Sequence, residues 1–98
     1  MWYRGKEMKR YKDEYFKALD MLKDVHDEDI RQIEKWGNKN HLLVEWMSFL
    51  TEEVGELAQA INENVYRKGS LENIKKEAIQ VATLSLKIAH MINRSLNR

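Results

Sequence analysis

The scarcity of helix-breaking residues is the feature that most constrains the fold of this chain. Its 98 residues contain no proline and only four glycines, at positions 5, 37, 55 and 69. No stretch sustains the alternating apolar pattern of a half-buried β-strand. The sequence therefore predicts an all-α fold, organised as one domain over residues 1–98 with residues 1–8 as a loosely held lead-in.

Apolar residues spaced three and four apart predict helices over about 9–36, 41–67 and 71–93. The first pattern slips near Asp27, which is a suitable N-cap residue, so this segment is either one interrupted helix or two. One interrupted helix is the favoured interpretation. The prediction is a bundle of three to four helices in each chain.

The boundaries between these helices have residues typical of helix caps. Gly37 suits a C′ position with positive φ, and Asn40 suits the N-cap of the second helix. Gly69 suits the next C′ position, and Ser70 suits the N-cap of the third helix. Because so short a turn joins the second and third helices, we expect them to pack antiparallel.

Composition excludes several classes of function. With 17 basic and 16 acidic residues the net charge is +1, which gives no electrostatic basis for nucleic-acid binding. The absence of cysteine excludes disulfides, thiolate metal sites and a cysteine nucleophile. No apolar run approaches the ~18 residues that span a bilayer, and the N-terminus lacks a signal-peptide hydrophobic region. We therefore expect a cytoplasmic protein without a membrane partner.

Two carboxylates occupy an unusual place on the second predicted helix. Glu53 and Glu56 are three residues apart, so they project from one helix face, which they share with apolar residues such as Trp46 and Leu50. Burying unpaired anions is costly, and like charges at this spacing repel each other. The pattern therefore predicts a cation between them.

A second pair of oxygen-bearing side chains follows on the third helix. Glu77 and Gln80 are also three residues apart, and an antiparallel pairing can bring them opposite Glu53 and Glu56. Three carboxylates and an amide oxygen are hard ligands, which suit Mg²⁺, or alternatively Mn²⁺, rather than zinc. Because Mg²⁺ commonly shares its ligand shell with phosphates, such a groove is a natural site for a phosphate substrate.

These residues resemble a known family pattern. Glu52-Glu53-Val54-Gly55-Glu56, followed after 20 residues by Glu77-Ala78-Ile79-Gln80, is similar to the Glu-Glu-x-x-Glu and Glu-x-x-Asp motifs of the all-α nucleoside triphosphate pyrophosphohydrolases, often called MazG-like. Arg31-Gln32, Lys35-Trp36-Gly37, Trp46, Leu50 and Val81-Ala82 add to the resemblance, which covers roughly residues 28–92.

The resemblance implies a Mg²⁺-dependent enzyme that splits a nucleoside triphosphate between the α- and β-phosphates, giving the monophosphate and pyrophosphate. It implies the metal ligands Glu53, Glu56 and Glu77, with Gln80 at the fourth position. Glu52 matches an acid that lies near the metals and helps to orient the attacking water, so Glu52 and Glu53 are the catalytic candidates. Lys35 and Trp36 lie where relatives contact the nucleotide.

Gln80 departs from the family pattern, which has aspartate at this position. Its amide oxygen can ligate a hard cation but brings no negative charge, so we expect weaker metal binding. Two alternatives therefore stay open. The protein could be a catalytically weak or inactive regulator that binds nucleotide or metal, or a structural helical module in which the three glutamates pair with lysines.

Helices of this length leave apolar faces uncovered in a single chain. The apolar residues that cannot all face inward are Phe49, Ile61, Val65, Leu86, Met91 and Ile92. Association that completes the bundle, as a homodimer or homotetramer, is the expected solution.

Overall fold

A computed structural model describes residues 18–37 and 41–97 of the chain, and this part is helical. A 3₁₀ turn over Ala18–Met21 precedes three α-helices, which are α1 (Leu22–Trp36), α2 (Leu43–Tyr66) and α3 (Leu71–Leu96). No strand occurs within the described residues. The prediction of an all-α chain is confirmed.

The interruption predicted near Asp27 is wrong. Helix α1 runs without a break from Leu22 to Trp36, and Asp27 lies inside it rather than at an N-cap. Its carboxylate instead pairs with Lys23 Nζ at 2.9 Å, one turn earlier on the same exposed face. The segment over residues 9–17, also assigned to this helix, lies outside the described residues.

The boundary between α1 and α2 follows the predicted pattern only in part. Gly37 ends α1 with φ at +78°, and its N–H donates to Ile33 O at 2.7 Å, as expected of a C′ glycine. Helix α2 begins at Leu43, two residues later than predicted. The later start arises because Glu45 Oε1 accepts from the backbone N–H of Leu42 at 2.7 Å, which holds Leu42 extended. The predicted N-cap, Asn40, lies outside the described residues.

The turn between α2 and α3 confirms one predicted cap and corrects another. Ser70 Oγ accepts from the Asn73 N–H at 3.1 Å, as an N-cap serine should. Gly69 does not adopt a positive φ, so it is not a C′ glycine. It is needed for close approach instead, because a Cβ there would lie 2.9 Å from the backbone nitrogen of Asn64.

Helix α3 is the central helix of the chain, since α1 and α2 both pack against it. Leu84 of α3 is completely buried, and Trp46 and Ala60 of α2 are also buried. Five polar or charged residues are also buried in the described part, against these three apolar ones. The interior is therefore unusually polar, and two of these five residues, Glu53 and Gln80, lie in the carboxylate motifs.

Apolar side chains remain uncovered, as the helix lengths predicted. Leu86 and Ile92 are exposed in the described structure, while Phe49 and Met91 are half-buried. Among the described residues, no helix is both long and apolar enough to cross a membrane.

Candidate metal centre

The antiparallel pairing of α2 and α3 brings the two glutamate motifs together. Glu53 and Glu56 of α2 and Glu77 of α3 each place one carboxylate oxygen so that the three atoms lie within 4.8 Å of one another. The short turn after α2 fixes this register, since it aligns the middle of α2 with the first half of α3. The geometry that the spacing predicted is therefore present.

The three carboxylates differ in exposure. Glu53 is only 4% exposed, Glu77 is half-buried and Glu56 is exposed. Glu52 is exposed and, being next to Glu53 on the helix, projects about 100° away from it. The cluster therefore has a buried floor at Glu53 and an open side at Glu56.

Within residues 18–37 and 41–97, none of the three glutamates forms an ion pair within 4.0 Å. Two lysines of α3 pair with carboxylates of α1 instead: Lys75 with Asp24 at 3.5 Å and Lys87 with Asp29 at 3.0 Å. The lysine pairing required by a purely structural role is not seen in the described part of the chain.

Burial and mutual repulsion change the protonation of this cluster. The pKa of Glu53 is raised to about 7, first by burial and then by its hydrogen bond to Glu56 and the charge of that residue. The pKa of Glu77 is also raised, again mainly by burial and then by the charge of Glu56. Lys35 acts in the opposite direction on Glu53. At neutral pH, protonation of Glu53 therefore removes part of the negative charge that a cation would otherwise neutralise.

Gln80 lies directly behind the carboxylates and is only 5% exposed. Its amide oxygen faces the carboxylates of Glu53 and Glu77, and its nitrogen faces Arg31. Exchanging the two atoms would let the nitrogen donate to Glu77 Oε2 at 2.7 Å and to Glu53 Oε2 at 2.5 Å, and the oxygen accept from Arg31 Nη2 at 3.2 Å. The structure thus brings Gln80 to the cluster, as predicted.

Helix α1 contributes a network that the sequence did not predict. Arg31 holds Glu28 through two hydrogen bonds, from Nε to Oε1 and from Nη2 to Oε2, both at 2.7 Å. Gln32 Nε2 adds a third at 2.8 Å, and both Glu28 and Gln32 are buried. The acidic run Asp27-Glu28-Asp29 is therefore not a uniformly solvated surface, because Glu28 is buried within it. The spacing of Glu28, Arg31 and Gln32 on one helix face was the available signal.

The two predicted substrate-binding residues end α1. The Trp36 ring stacks on Phe49 with a centroid separation of 4.9 Å and an interplanar angle of 5°. Lys35 Nζ lies over the Trp36 ring, 4.8 Å from its centroid. Because the Lys35 charge lowers the pKa of Glu53, this end of α1 is electrostatically linked to the carboxylates.

The donor set fits a hard divalent cation. All three convergent groups offer carboxylate oxygens, and the cluster contains neither histidine nor cysteine among the described residues. Oxygen donors favour Mg²⁺ or Mn²⁺, and removing the proton from Glu53 would leave three negative charges for the ion.

Together, the fold and the cluster define an all-α helical protein with a carboxylate centre between two antiparallel helices. Comparison of the chain with protein-family models, curated proteins and solved structures finds no match. The similarity to the MazG-like enzymes therefore rests on the residues quoted above, and the activity it implies is a proposal.

Proposed function

We propose that this protein is a Mg²⁺-dependent nucleoside triphosphate pyrophosphohydrolase that releases nucleoside monophosphate and pyrophosphate. One observation carries the proposal. Three carboxylates from two helices converge within 4.8 Å, with no basic side chain paired to them in the described structure. The resemblance of these motifs to those of the MazG-like enzymes supplies the substrate and the bond that is cleaved.

Glu53, Glu56 and Glu77 would hold the Mg²⁺, with Mn²⁺ as an alternative. The bound ion would supply charge neutralisation for the phosphates and a more acidic water molecule. The half-open arrangement suits this role, since Glu53 is buried while Glu56 faces solvent and leaves room for a substrate.

Three neighbouring side chains complete the proposed site. Glu52, exposed beside Glu53, accepts a proton from the attacking water and orients it. Lys35 binds a phosphate group, which its position near Glu53 allows. When it does so, Lys35 leaves the ring of Trp36, and the nucleotide base stacks there.

Gln80 supports a second candidate function, a nucleotide- or metal-binding regulator that has little or no turnover. Its neutral amide lies against Glu53 and Glu77 but adds no negative charge, whereas an aspartate at this position would add one. A site with less negative charge binds Mg²⁺ more weakly. Nucleotide binding that depends on Mg²⁺, without release of pyrophosphate, would establish this function.

Association of chains is part of the proposal. The exposed side chains of Leu43, Met47 and Val54 lie at spacings of four and seven along α2 and form an apolar stripe. A homodimer or homotetramer would cover this stripe, and light scattering after size-exclusion chromatography measures the assembly directly. A cytoplasmic location would give the enzyme access to nucleoside triphosphates.

The direct test is pyrophosphate release from a panel of nucleoside triphosphates in the presence of Mg²⁺. Turnover should fall more than about 100-fold in Glu53→Gln, since loss of an outer-shell partner alone costs about 10–100-fold. The control is Glu63→Gln, the same change on α2 but outside the cluster. It should retain wild-type turnover. A Glu53→Gln variant that is as active as this control would remove Glu53 from the site.

A further inference from the structure

A groove of about 610 Å³ lies between α1 and the second half of α3, and the carboxylates of the proposed metal centre do not line it. Apolar side chains from all three helices form its walls, and they include Val25 and Ile33 of α1, Trp46 of α2, and Leu86 and Met91 of α3. Small-molecule sites usually measure about 300–1,000 Å³ and have mainly apolar walls. This α1–α3 groove therefore has the size and the lining of a ligand site.

The charged lining of the α1–α3 groove is basic. Among the described residues that line it, Lys87 and Arg94 of α3 face one carboxylate, that of Asp29 on α1. With the three histidines of the lining counted as neutral, the net charge is +1. A lining with one excess positive charge complements a ligand with one negative charge.

Lys87 holds its charge inside the groove rather than at the open surface. Its side chain is only 18% exposed, and its Nζ lies 3.0 Å from Asp29 Oδ1 and 5.7 Å from the centroid of the Trp46 ring. An ammonium group has three donors, so the ion pair with Asp29 leaves donors for an oxygen of a ligand. The anionic group of a ligand would therefore lie against Lys87, with its apolar part along the walls.

Two ring nitrogens of the lining residues lack a hydrogen-bond partner in the described part of the chain. Trp46 is only 8% exposed, and its buried Nε1 is one of them. The other is Nε2 of His41, whose ring meets Trp46 edge-on at a centroid distance of 5.1 Å. Buried polar atoms without a partner are rare in folded proteins. Because an indole N–H can only donate, the partner that Trp46 lacks is an acceptor, such as a carboxylate oxygen.

Two other occupants fit this lining less well. Residues 1–17 of the chain carry six basic and three acidic side chains, so their net charge of +3 does not complement a basic groove. A phosphate monoester carries about two negative charges near pH 7, which exceeds the single positive charge of the lining. A monocarboxylate matches both the charge and the apolar walls.

We propose that the α1–α3 groove binds a small amphipathic monocarboxylate, with its carboxylate beside Lys87 and its aryl or alkyl body against Trp46 and Met91. Since the glutamate cluster does not line the groove, this binding needs no Mg²⁺. It is also independent of the proposed hydrolase activity.

The experiment is a titration of the full chain with naphthalene-2-carboxylate by isothermal calorimetry, in the presence of a chelator. This probe should bind at least about tenfold more tightly than naphthalene-2-methanol, a neutral analogue of similar shape, because only the carboxylate forms charge-assisted hydrogen bonds. It should also bind more tightly than 2-naphthyl phosphate. Equal binding of the carboxylate and the alcohol, tighter binding of the phosphate, or no binding of the carboxylate would overturn the inference.

A matched pair of variants at the rim of the groove tests the charge complementarity. Leu86 is 55% exposed, so the fold should tolerate a polar side chain there. Leu86→Glu should bind naphthalene-2-carboxylate at least about threefold more weakly than Leu86→Gln, which has the same size without the negative charge. Equal affinities in the two folded variants would contradict the proposal.

Nuclear magnetic resonance of wild type locates the probe without any variant. The signals of the Trp46 indole N–H and the Met91 methyl group should shift when naphthalene-2-carboxylate is added. Shifts confined to the glutamate cluster would place the probe elsewhere and overturn the inference. A dimeric mass by light scattering, together with no binding of the probe, would assign the groove to a second copy of the chain instead.

Discussion

Two clusters lie one helical turn apart on α2, and they are stabilised in opposite ways. Phe49 belongs to an aromatic cluster, where its ring stacks on Trp36 at 4.9 Å and meets Trp46 edge-on at 5.7 Å. Four residues later on the same face, Glu53 faces Glu56 and Glu77 with no basic partner in the described structure. The first cluster favours folding, and the second opposes it.

The difference indicates that one region of the chain stabilises the fold while the other forms the candidate site. Aromatic and aliphatic packing around Trp46 and Leu84 stabilises the fold. This stabilisation offsets the free-energy cost of burying the Glu53 carboxylate. Unfavourable charge clusters of this kind are typical of binding and catalytic sites. Substitutions in the two regions should therefore have separable effects, on folding in one and on metal binding in the other.

The largest expected effect on folding comes from Leu84→Ala. This side chain is completely buried between the helices, so truncation should lower the free energy of unfolding by about 3 kcal/mol. Urea unfolding followed by circular dichroism measures the change. Leu86→Ala, two residues away and 55% exposed, should cost less than about 1 kcal/mol. Equal losses in the two variants would contradict the packing described for α3.

The metal-free protein should lose stability as the pH rises from about 4.5 to about 7. Over this range an unfolded Glu53 gives up its proton, while the folded one, with its pKa raised to about 7, retains it. The stabilisation is complete below 4.5 and is lost as the pH rises through the folded pKa, on the order of 2 kcal/mol.

Chemical unfolding at several pH values in the presence of a chelator checks this prediction. Glu53→Gln, which cannot ionise, should lose most of the dependence and be the more stable protein at pH 8. If the free energy of unfolding of wild type did not change between pH 4.5 and 7, the pKa of Glu53 would not be raised by its surroundings.

Loss of the positive charge at the end of α1 should have a smaller effect. In Lys35→Met, the KM for the proposed nucleoside triphosphate substrate should rise about threefold to tenfold, since the phosphate contact proposed for Lys35 would be lost. Steady-state kinetics measures this change, with Lys68→Met in the α2–α3 turn as the control. An unchanged KM would place the phosphates away from α1.

The smallest effect is expected on the outer face of α1. Asp27→Asn removes an ion pair with Lys23 in which both side chains are exposed, so the Tm should not change measurably. Glu28→Gln, at the next residue, should lower the Tm because it weakens the bidentate pair with Arg31, in which the glutamate is buried. Similar shifts for the two variants would contradict the division of this acidic run into an exposed and a buried part.

Much of this architecture could be predicted from local sequence patterns. The long helices follow from apolar spacing and the lack of proline, and the position of Ser70 fixes the turn that pairs α2 with α3. That pairing alone brings Glu77 opposite Glu53 and Glu56. These features depend on residues close together in sequence or on one short connection.

The features that sequence reasoning missed depend on contacts made only in the folded chain. Glu28 is buried because α1 docks on α3 and because Arg31 and Gln32 satisfy its oxygens. The buried amide of Gln80 likewise lies against Arg31, 49 positions earlier in the chain. Gly69 looked like a cap but is required by close packing against α2. Periodicity and capping rules contain no such information.

The central claim is that the cluster of Glu53, Glu56 and Glu77 is a divalent cation site. Its most direct test is the thermal unfolding of wild type and Glu53→Gln at pH 7.5, with and without Mg²⁺. At tenfold the dissociation constant, binding should stabilise wild type by about 1.4 kcal/mol, which raises the Tm by several degrees. Glu53→Gln should show little or no shift. Equal shifts in the two proteins, or none in wild type, would contradict the claim.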